Sequence, residues 1–336
     1  MQRSEESPYS ACGDPKMLFL SEADVLDLFP METALESIEA SFIAQGNGAP
    51  NHPRRRIFLP RVSLHYMAAA LPHEGWLGLK IYTVSREKLR FIVLLYEAER
   101  GELLAMIEAD HLGRIRTGAA SGVATRCLSR PEASTVGVIG SGRQARTQLQ
   151  AVSRVRPVKS ARVFSRNEKR CETFCREMSE QLGIEVEPAA SAEAAARFGE
   201  ILITATTSSE PVLLGSWLKP GAHVNAIGAN MPNRREVDDE LLQRAAVIAV
   251  DSLEQAQMES GDLIQGFADD PERWKQVAEL QEIIAGRRPG RQSPDEITLF
   301  KSAGIALWDV AAASVIYRRA LELGRGKKIE LSEDIP

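Results

Sequence analysis

Residues 136–148 read VGVIGSGRQARTQ. Residues 136–139 have the pattern of a buried strand, the glycines at 140 and 142 make a tight turn, and Arg143 opens a helical stretch. Strand, glycine turn and helix in that order begin a dinucleotide-binding βα unit. Gly140 makes the turn. Gly142 has no side chain, so a pyrophosphate can approach the backbone, and Ala145 lets the helix pack closely on the strand. The free N–H groups and partial positive charge of a helix start complete the anion site. A lone glycine pattern is weak evidence, so its surroundings have to decide.

Downstream, candidate strands at 136–139, 161–164, 185–188, 201–204, 223–227 and 247–250 alternate with helical patterns. Six strands in βα alternation predict a doubly wound parallel sheet. Upstream the pattern differs. Ser21 caps a short helix, with Asp24 three residues on as an acidic variant of the capping box. Residues 31–45 form a second helix, with Ala34, Leu35, Ile38 and Phe42 at helical spacing. RIFLP, LHYMAAALP, GLKIYTV, RFIVLLYEA and LLAMIEA then predict a β layer between 56 and 109. HLGRIRTGAASGVATRCL (111–128) reads as a helix rich in small residues, suited to close approach by another backbone or a ligand. Near Ser302 the strand pattern stops, and AGIALWDVAAASVIYRRALELG becomes one long helix. Its apolar face (Ile305, Trp308, Ala312, Ile316) needs a partner, and the N-terminal β layer is expected to supply it. The expected organisation is therefore 17–128 plus 305–325 as one domain and 129–304 as the other. Residues 1–16 and 326–336 are expected to be loose tails.

The chain has 336 residues, 44% of them hydrophobic and 26% charged, and a formal net charge of −5. That is an ordinary globular composition without the concentrated basic surface a nucleic acid requires. The densest basic run, Arg54, Arg55 and Arg56, suits a small anionic group. Cys12, Cys127, Cys171 and Cys175 lack metal-ligand spacing and read as reduced thiols of a cytoplasmic protein. The N-terminus has no apolar signal core, and no apolar run approaches the ~20 residues of a membrane span. At the end of the second parallel strand the sequence is VFSRNEKR. Ser165, Arg166 and Asn167 include no carboxylate for ribose hydroxyls, and Arg166 suits a 2′-phosphate, so NADP is favoured over NAD.

The stretches IEADHLGRIRTGAASGVAT, LKPGAHVNAIGANMPNRREVDDELL and VDSLEQAQMESGDL, in order around the glycine turn, resemble the ornithine cyclodeaminase/mu-crystallin family. The resemblance runs from Leu18 to Leu323. It implies an α/β fold: a Rossmann-type doubly wound parallel sheet inserted into an α+β substrate-binding and dimerisation domain. It also implies a homodimer whose N-terminal β layers pair. In the family a lysine and two arginines grip the α-carboxylate of an amino or imino acid. Lys80 and Arg116 match two of these, and either Arg54 or Arg56 matches the third, with Arg54 favoured. A lysine inside the apolar strand LGLKIYT independently needs a partner or a task.

By the same resemblance, His65 and Arg90 fall at pocket positions, and Thr117 is expected to reach the cofactor phosphates. Ser141, Arg143 and Gln144 accompany the glycines of the turn. Thr206, Thr207, Val224 and Gly228 are expected beside the cofactor, and Lys301 and Ser302 near the nicotinamide. Glu259 in ESGD is a candidate pocket acid, although a core role without ligand contact is the better reading.

The chain departs from the family pattern at Asn230. Ornithine cyclodeaminases carry an aspartate there, two residues before a proline, and a neutral amide cannot act as a general base near neutral pH. The expected activity is thus NAD(P)H-dependent hydride transfer to the C=N bond of a small imino acid, or the reverse oxidation of an amino acid. Lys80 and Arg116 are the candidate catalytic residues, Asn230 lines the substrate site, and no metal takes part. The alternatives are an ammonia lyase with retained NAD and a mu-crystallin-like binding protein for small aromatic carboxylates.

Overall fold

The computed structural model describes residues 16–85, 87 and 89–331. Cys12 and most of the first expected tail lie outside the described residues. The chain opens with β1 (Lys16–Leu20), α1 (Glu22–Leu28) and α2 (Met31–Gly46). Ser21 caps α1: its hydroxyl accepts from the Asp24 N–H, and the Asp24 carboxylate accepts from the Ser21 N–H at 3.0 Å. An antiparallel run follows: β2 (Arg55–Phe58), β3 (Val62–Leu71), β4 (Trp76–Ser85), β5 (Leu89–Glu97) and β6 (Leu103–Glu108). The long helix α3 (Asp110–Leu128) then carries the chain away from this layer.

The second layer contains β7 (Thr135–Ile139), α4 (Arg143–Val155), β8 (Ser160–Phe164), α5 (Glu168–Leu182), β9 (Glu185–Pro188), α6 (Ala192–Phe198) and β10 (Ile201–Thr204). It continues through β11 (His223–Ala226), α7 (Asp239–Arg244), β12 (Ala245–Val250), α8 (Leu253–Glu259), α9 (Gly261–Gly266), β13 (Ala278–Glu279), α10 (Leu280–Ile284) and β14 (Ile297–Lys301). The chain ends with α11 (Ala306–Glu322) and β15 (Lys327–Glu330).

The first sheet has the order β15-β1-β6-β5-β4-β3-β2 and the second β13-β12-β14-β11-β10-β7-β8-β9. All pairings in the second sheet are parallel. Its strand order reverses at β7, with β8 on one side and β10 on the other, and the crevice beyond that switch point is where open α/β sheets bind ligands.

Two sequence expectations need correction. The parallel sheet has eight strands rather than six, because ITLFK (β14) and the two-residue β13 also pair into it. β14 lies between β11 and β12 with all five residues buried, polar Thr298 and Lys301 included, so it shows no apolar/polar alternation that tracks burial. The expected tail after 326 instead contributes β15, which pairs antiparallel with β1 in the register Met17↔Ile329. KKIE is polar, so backbone hydrogen bonding rather than apolar burial makes it a strand.

Helix α11 returns to the first layer. Ile305, Trp308, Ala312 and Ile316 are all fully buried in one cluster with α2, α3 and the inner face of the first sheet. The Trp308 ring meets Phe42 edge-on at 5.4 Å. A Cβ on Gly78 of β4 would sit 2.9 Å from Val310, so the glycine lets the helix lie directly on the strand. Helix α3 uses its small residues in the same way against α4, where a Cβ on Gly118 would come within 2.4 Å of the Thr147 carbonyl.

Candidate active site

A cavity of about 710 Å³ separates the two layers. One wall comes from β2 to β5, and the other from the loops at the C-terminal ends of β7, β10, β11 and β14. That volume suits a small molecule together with part of a cofactor.

Strand β4 alternates, burying Trp76, Gly78 and Lys80 on the face toward α11 and the cavity. Lys80 is 4% exposed, and its Nζ donates to Asp309 Oδ1 at 2.7 Å. Arg116, projecting from α3 and 5% exposed, donates through Nε to the same oxygen at 3.0 Å. Its guanidinium lies over Trp308 at 5.4 Å, and the Lys80 ammonium stands 5.2 Å from the Phe91 ring centre. Gly113 faces Lys80 on α3, where a Cβ would come within 3.2 Å of Nζ. Burial is the largest influence on Lys80. Together with the Arg116 and Arg54 charges it outweighs Asp309 and pushes the ammonium down to about 8. Arg116 Nη1 and Asp309 Oδ2 are buried without a hydrogen-bond partner among the described residues.

A second cluster repeats the theme. Arg54 and Arg56 lie on one face of the chain entering β2, with Arg55 exposed between them. Both pair with the fully buried Glu259 at the end of α8: Arg54 through Nη1 to Oε2, and Arg56 through Nη1 to Oε1 at 2.7 Å. Arg54 Nη2 donates to the carbonyls of Ala303 and Gly304 at 3.1 and 3.2 Å. Arg56 Nη2 donates to the Asn230 carbonyl at 3.3 Å. Burial lifts the Glu259 carboxyl above its ordinary range, against the pull of the two arginines. The 302–304 segment is itself anchored, because Asp251 Oδ2 accepts from Ser302 Oγ and from the Ala303 and Gly304 N–H groups.

His65 lies beside these arginines, stacked on Tyr82 at 4.5 Å, with Nε2 2.7 Å from the Ser63 hydroxyl. Burial first, then Arg56 and Arg54, pushes its imidazole down to about 4, so it is neutral at pH 7.

The parallel-sheet wall fits a dinucleotide. Gly140 has φ +111°, a conformation other residues rarely adopt, and its N–H donates to the Phe164 carbonyl. Gly142 is the N-cap of α4 and supplies no side-chain cap, and a Cβ placed on it would meet nothing within 4 Å. The helix N–H groups therefore open onto space of the kind a phosphate fills. Gly142, Arg143, Gln144, Thr117, Thr206, Thr207, Gly228 and Ser302 all line the cavity. A Cβ on Gly228 would come 2.2 Å from the Thr206 carbonyl, so only glycine fits there.

Several candidates stand elsewhere. Arg90 is exposed and does not line the cavity, whereas its neighbours Leu89 and Phe91 do. Strand parity turns it away. Val224 is fully buried in the core of the second layer. Lys301 is buried in an ion pair with Asp262 at 2.9 Å and donates to the Ala229 carbonyl, so it braces the cavity wall without facing the cavity. Ser141 lies in the glycine turn outside the cavity lining. Ser165, Arg166 and Asn167 follow β8 beyond the cavity's edge, and Asn167 caps α5 by accepting from the Arg170 N–H. Glu259 sits behind the two arginines rather than in the lining.

Sequence reading missed Asp309 and Glu236. Asp309 is a single acid in an apolar helix, and its one signal is that a charge on that face demands a buried partner. Glu236 lay unmarked in the charged run NRREVDDE. It accepts from the N–H and hydroxyl of Thr206 and from the Gly228 and Ala229 N–H groups, which locks the loops after β10 and β11 together.

Comparison with known proteins identifies relatives of the same fold. Residues 16–324 match the ornithine cyclodeaminase/mu-crystallin family. The chain is 37% identical over 262 residues to a Delta(1)-pyrroline-2-carboxylate reductase of Bacillus cereus, covering 76% of this chain and 80% of the relative. The structure of Thermococcus litoralis Delta(1)-pyrroline-2-carboxylate reductase, in complex with NADH and L-proline, superimposes with a TM-score of 0.90 and 38% identity. That match covers 93% of this chain and all of the other. An archaeal alanine dehydrogenase dimer with bound NAD gives a TM-score of 0.89 at 34% identity, over 94% of this chain and 100% of its own.

Proposed function

The chain belongs to the ornithine cyclodeaminase/mu-crystallin family, and from that premise we propose that it is a nicotinamide-dependent reductase of small α-imino acids, able to run in reverse as an amino-acid dehydrogenase. The observation that carries the reading is the pair Lys80 and Arg116. Both are buried at the cavity wall and share one carboxylate, and both retain donors that no group among the described residues uses. An α-carboxylate matches those donors, with Arg116 offering the planar fork and Lys80 the point charge. Gripped this way, the substrate places its C=N carbon toward the ends of the parallel strands. Such positioning is a large part of catalysis in a two-substrate site.

NAD(P)H, held by the turn at Gly140–Gly142 and the loops carrying Thr206 and Gly228, supplies the hydride. The nitrogen needs one proton to complete the amine, and Lys80 supplies it. A lysine held near pH 8 is charged at neutral pH and still acidic enough to donate. Asn230 lines the cavity as an amide, so the general base of a cyclodeaminase is absent from that position.

Two finer proposals accompany this one. The first is a preference for NADPH. No carboxylate follows β8 in Ser165-Arg166-Asn167, and Arg166 is exposed there. The second is a homodimer. The β2–β5 region exposes Ile57, Phe58, Leu59, Val84 and Leu89, a set of apolar side chains suited to a second copy. Light scattering on the purified protein tests the dimer. Comparing kcat/KM for NADPH and NADH, before and after Arg166→Ala, tests the cofactor preference.

The activity is tested by following loss of reduced-nicotinamide absorbance on adding cyclic imino carboxylates, or α-keto acids with ammonia or methylamine. Oxidation with one class is the expected result. Ammonia release from ornithine or lysine without added cofactor, together with no turnover of any imine, would overturn the reading.

A further inference from the structure

We propose that Asp309 is the positioning residue of this site: from the returning helix α11 it keeps Lys80 charged and aligned with Arg116. The inference rests on the reductase reading of the cavity. Asp309 is fully buried, and only one of its oxygens is engaged, taking the Lys80 ammonium at 2.7 Å and the Arg116 guanidinium at 3.0 Å. Its other oxygen has no hydrogen-bond partner among the described residues. The carboxylate is therefore devoted to holding two cations at a fixed spacing.

The other cations around Lys80 oppose its charge, and the neutral groups supply no counterion. Arg116 and Arg114 approach from α3, Arg54 and Arg56 from the chain at β2, and neutral His65 from β3, while Tyr82 lies on β4 itself. Of the further acids, Glu259 is committed to Arg54 and Arg56, Asp110 pairs with Arg114 and Arg143, and Asp251 accepts from Ser302, Ala303 and Gly304. Asp309 is thus the counterion through which Lys80 stays protonated in a desolvated site. An uncharged lysine here has no proton to give and no charge for a substrate carboxylate.

The test is the pH dependence of Lys80 reactivity in the full-length protein, using trace acetic anhydride and peptide mass spectrometry. In Asp309→Asn the midpoint falls by at least one pH unit relative to wild type, and an unchanged midpoint overturns the proposal. Arg116→Met guards against misfolding of the first variant. With the competing cation gone, the Lys80 midpoint rises, and one that stays or falls also overturns the proposal. In wild type and Asp309→Asn alike, the alkaline limb of kcat/KM with Δ1-pyrroline-2-carboxylate follows the labelling midpoint. If wild type turns over no imino acid, the reductase reading fails, while the labelling midpoints still decide the role of Asp309.

Discussion

Two buried carboxylates each hold two cations at the same cavity, yet they do opposite things. Glu259 holds Arg54 and Arg56, whose guanidinium ends also donate to the carbonyls of Ala303, Gly304 and Asn230. Asp309 holds Lys80 and Arg116, and it leaves Arg116 Nη1 buried with nothing to donate to among the described residues. In the first set every terminal guanidinium nitrogen is engaged within the protein, leaving the two buried Nε atoms without partners among the described residues, and the set ties β2 to the 302–304 segment. The second is incomplete, and an anionic ligand completes it. Charge count does not separate the two, since each set nets one positive charge. The separation comes from which donors remain free: the inner Nε atoms of Arg54 and Arg56 in one set, a terminal Nη of Arg116 in the other.

The sharpest way to break this contrast is to remove the free donors. Arg116→Met takes away the fork and leaves Asp309 with one partner. We expect kcat/KM to fall by about a thousand-fold, the scale of breaking a buried charged contact. Next comes Lys80→Met, expected to lower kcat/KM by about a hundred-fold, mostly in kcat, as removal of a general acid does. If only KM rises, Lys80 binds and does not donate. In the wild type, activity holds below the Lys80 pKa of about 8 and declines as pH rises through it, because the protonated form is required. That limb disappears in the methionine variant.

Glu259→Gln probes the set held by Glu259. It leaves the buried Arg54 and the half-buried Arg56 guanidinium groups without their shared counterion, so the main loss is stability, roughly 3 kcal/mol, read as a lower melting temperature. The expected decline in kcat/KM is about ten-fold. A loss equal to that of Arg116→Met would erase the distinction between the two sets. Smallest of all, Arg90→Ala is expected to leave kcat/KM within about two-fold of wild type, since an exposed strand cation outside the cavity contributes little. A larger effect would bring β5's outer face into the site.

Much of the site is legible in the amino-acid sequence because its signals are local. The Gly140–Gly142 turn is specified by residues a few positions apart, and Lys80 stands out as a cation in an apolar strand. Arg90 and His65 show where local reading fails. Both are basic residues on strands, but only parity against the neighbouring strands decides that His65 faces the arginines while Arg90 faces solvent. Lys301 failed for a different reason: its partner Asp262 lies far along the chain, and nothing near either residue announces the pair.

By itself the sequence determined the alternation of the parallel layer, the anion-binding turn, the β layer before it and the apolar face of the last helix. Each of these follows from periodicity or from the conformational needs of glycine, which act over a few residues. Only the tertiary structure decided which cations remain available. That depends on where two carboxylates, Asp309 on α11 and Glu259 on α8, are brought by packing. In a buried site a charge acts through the partners it lacks, and those are set by distances between segments that are remote in sequence.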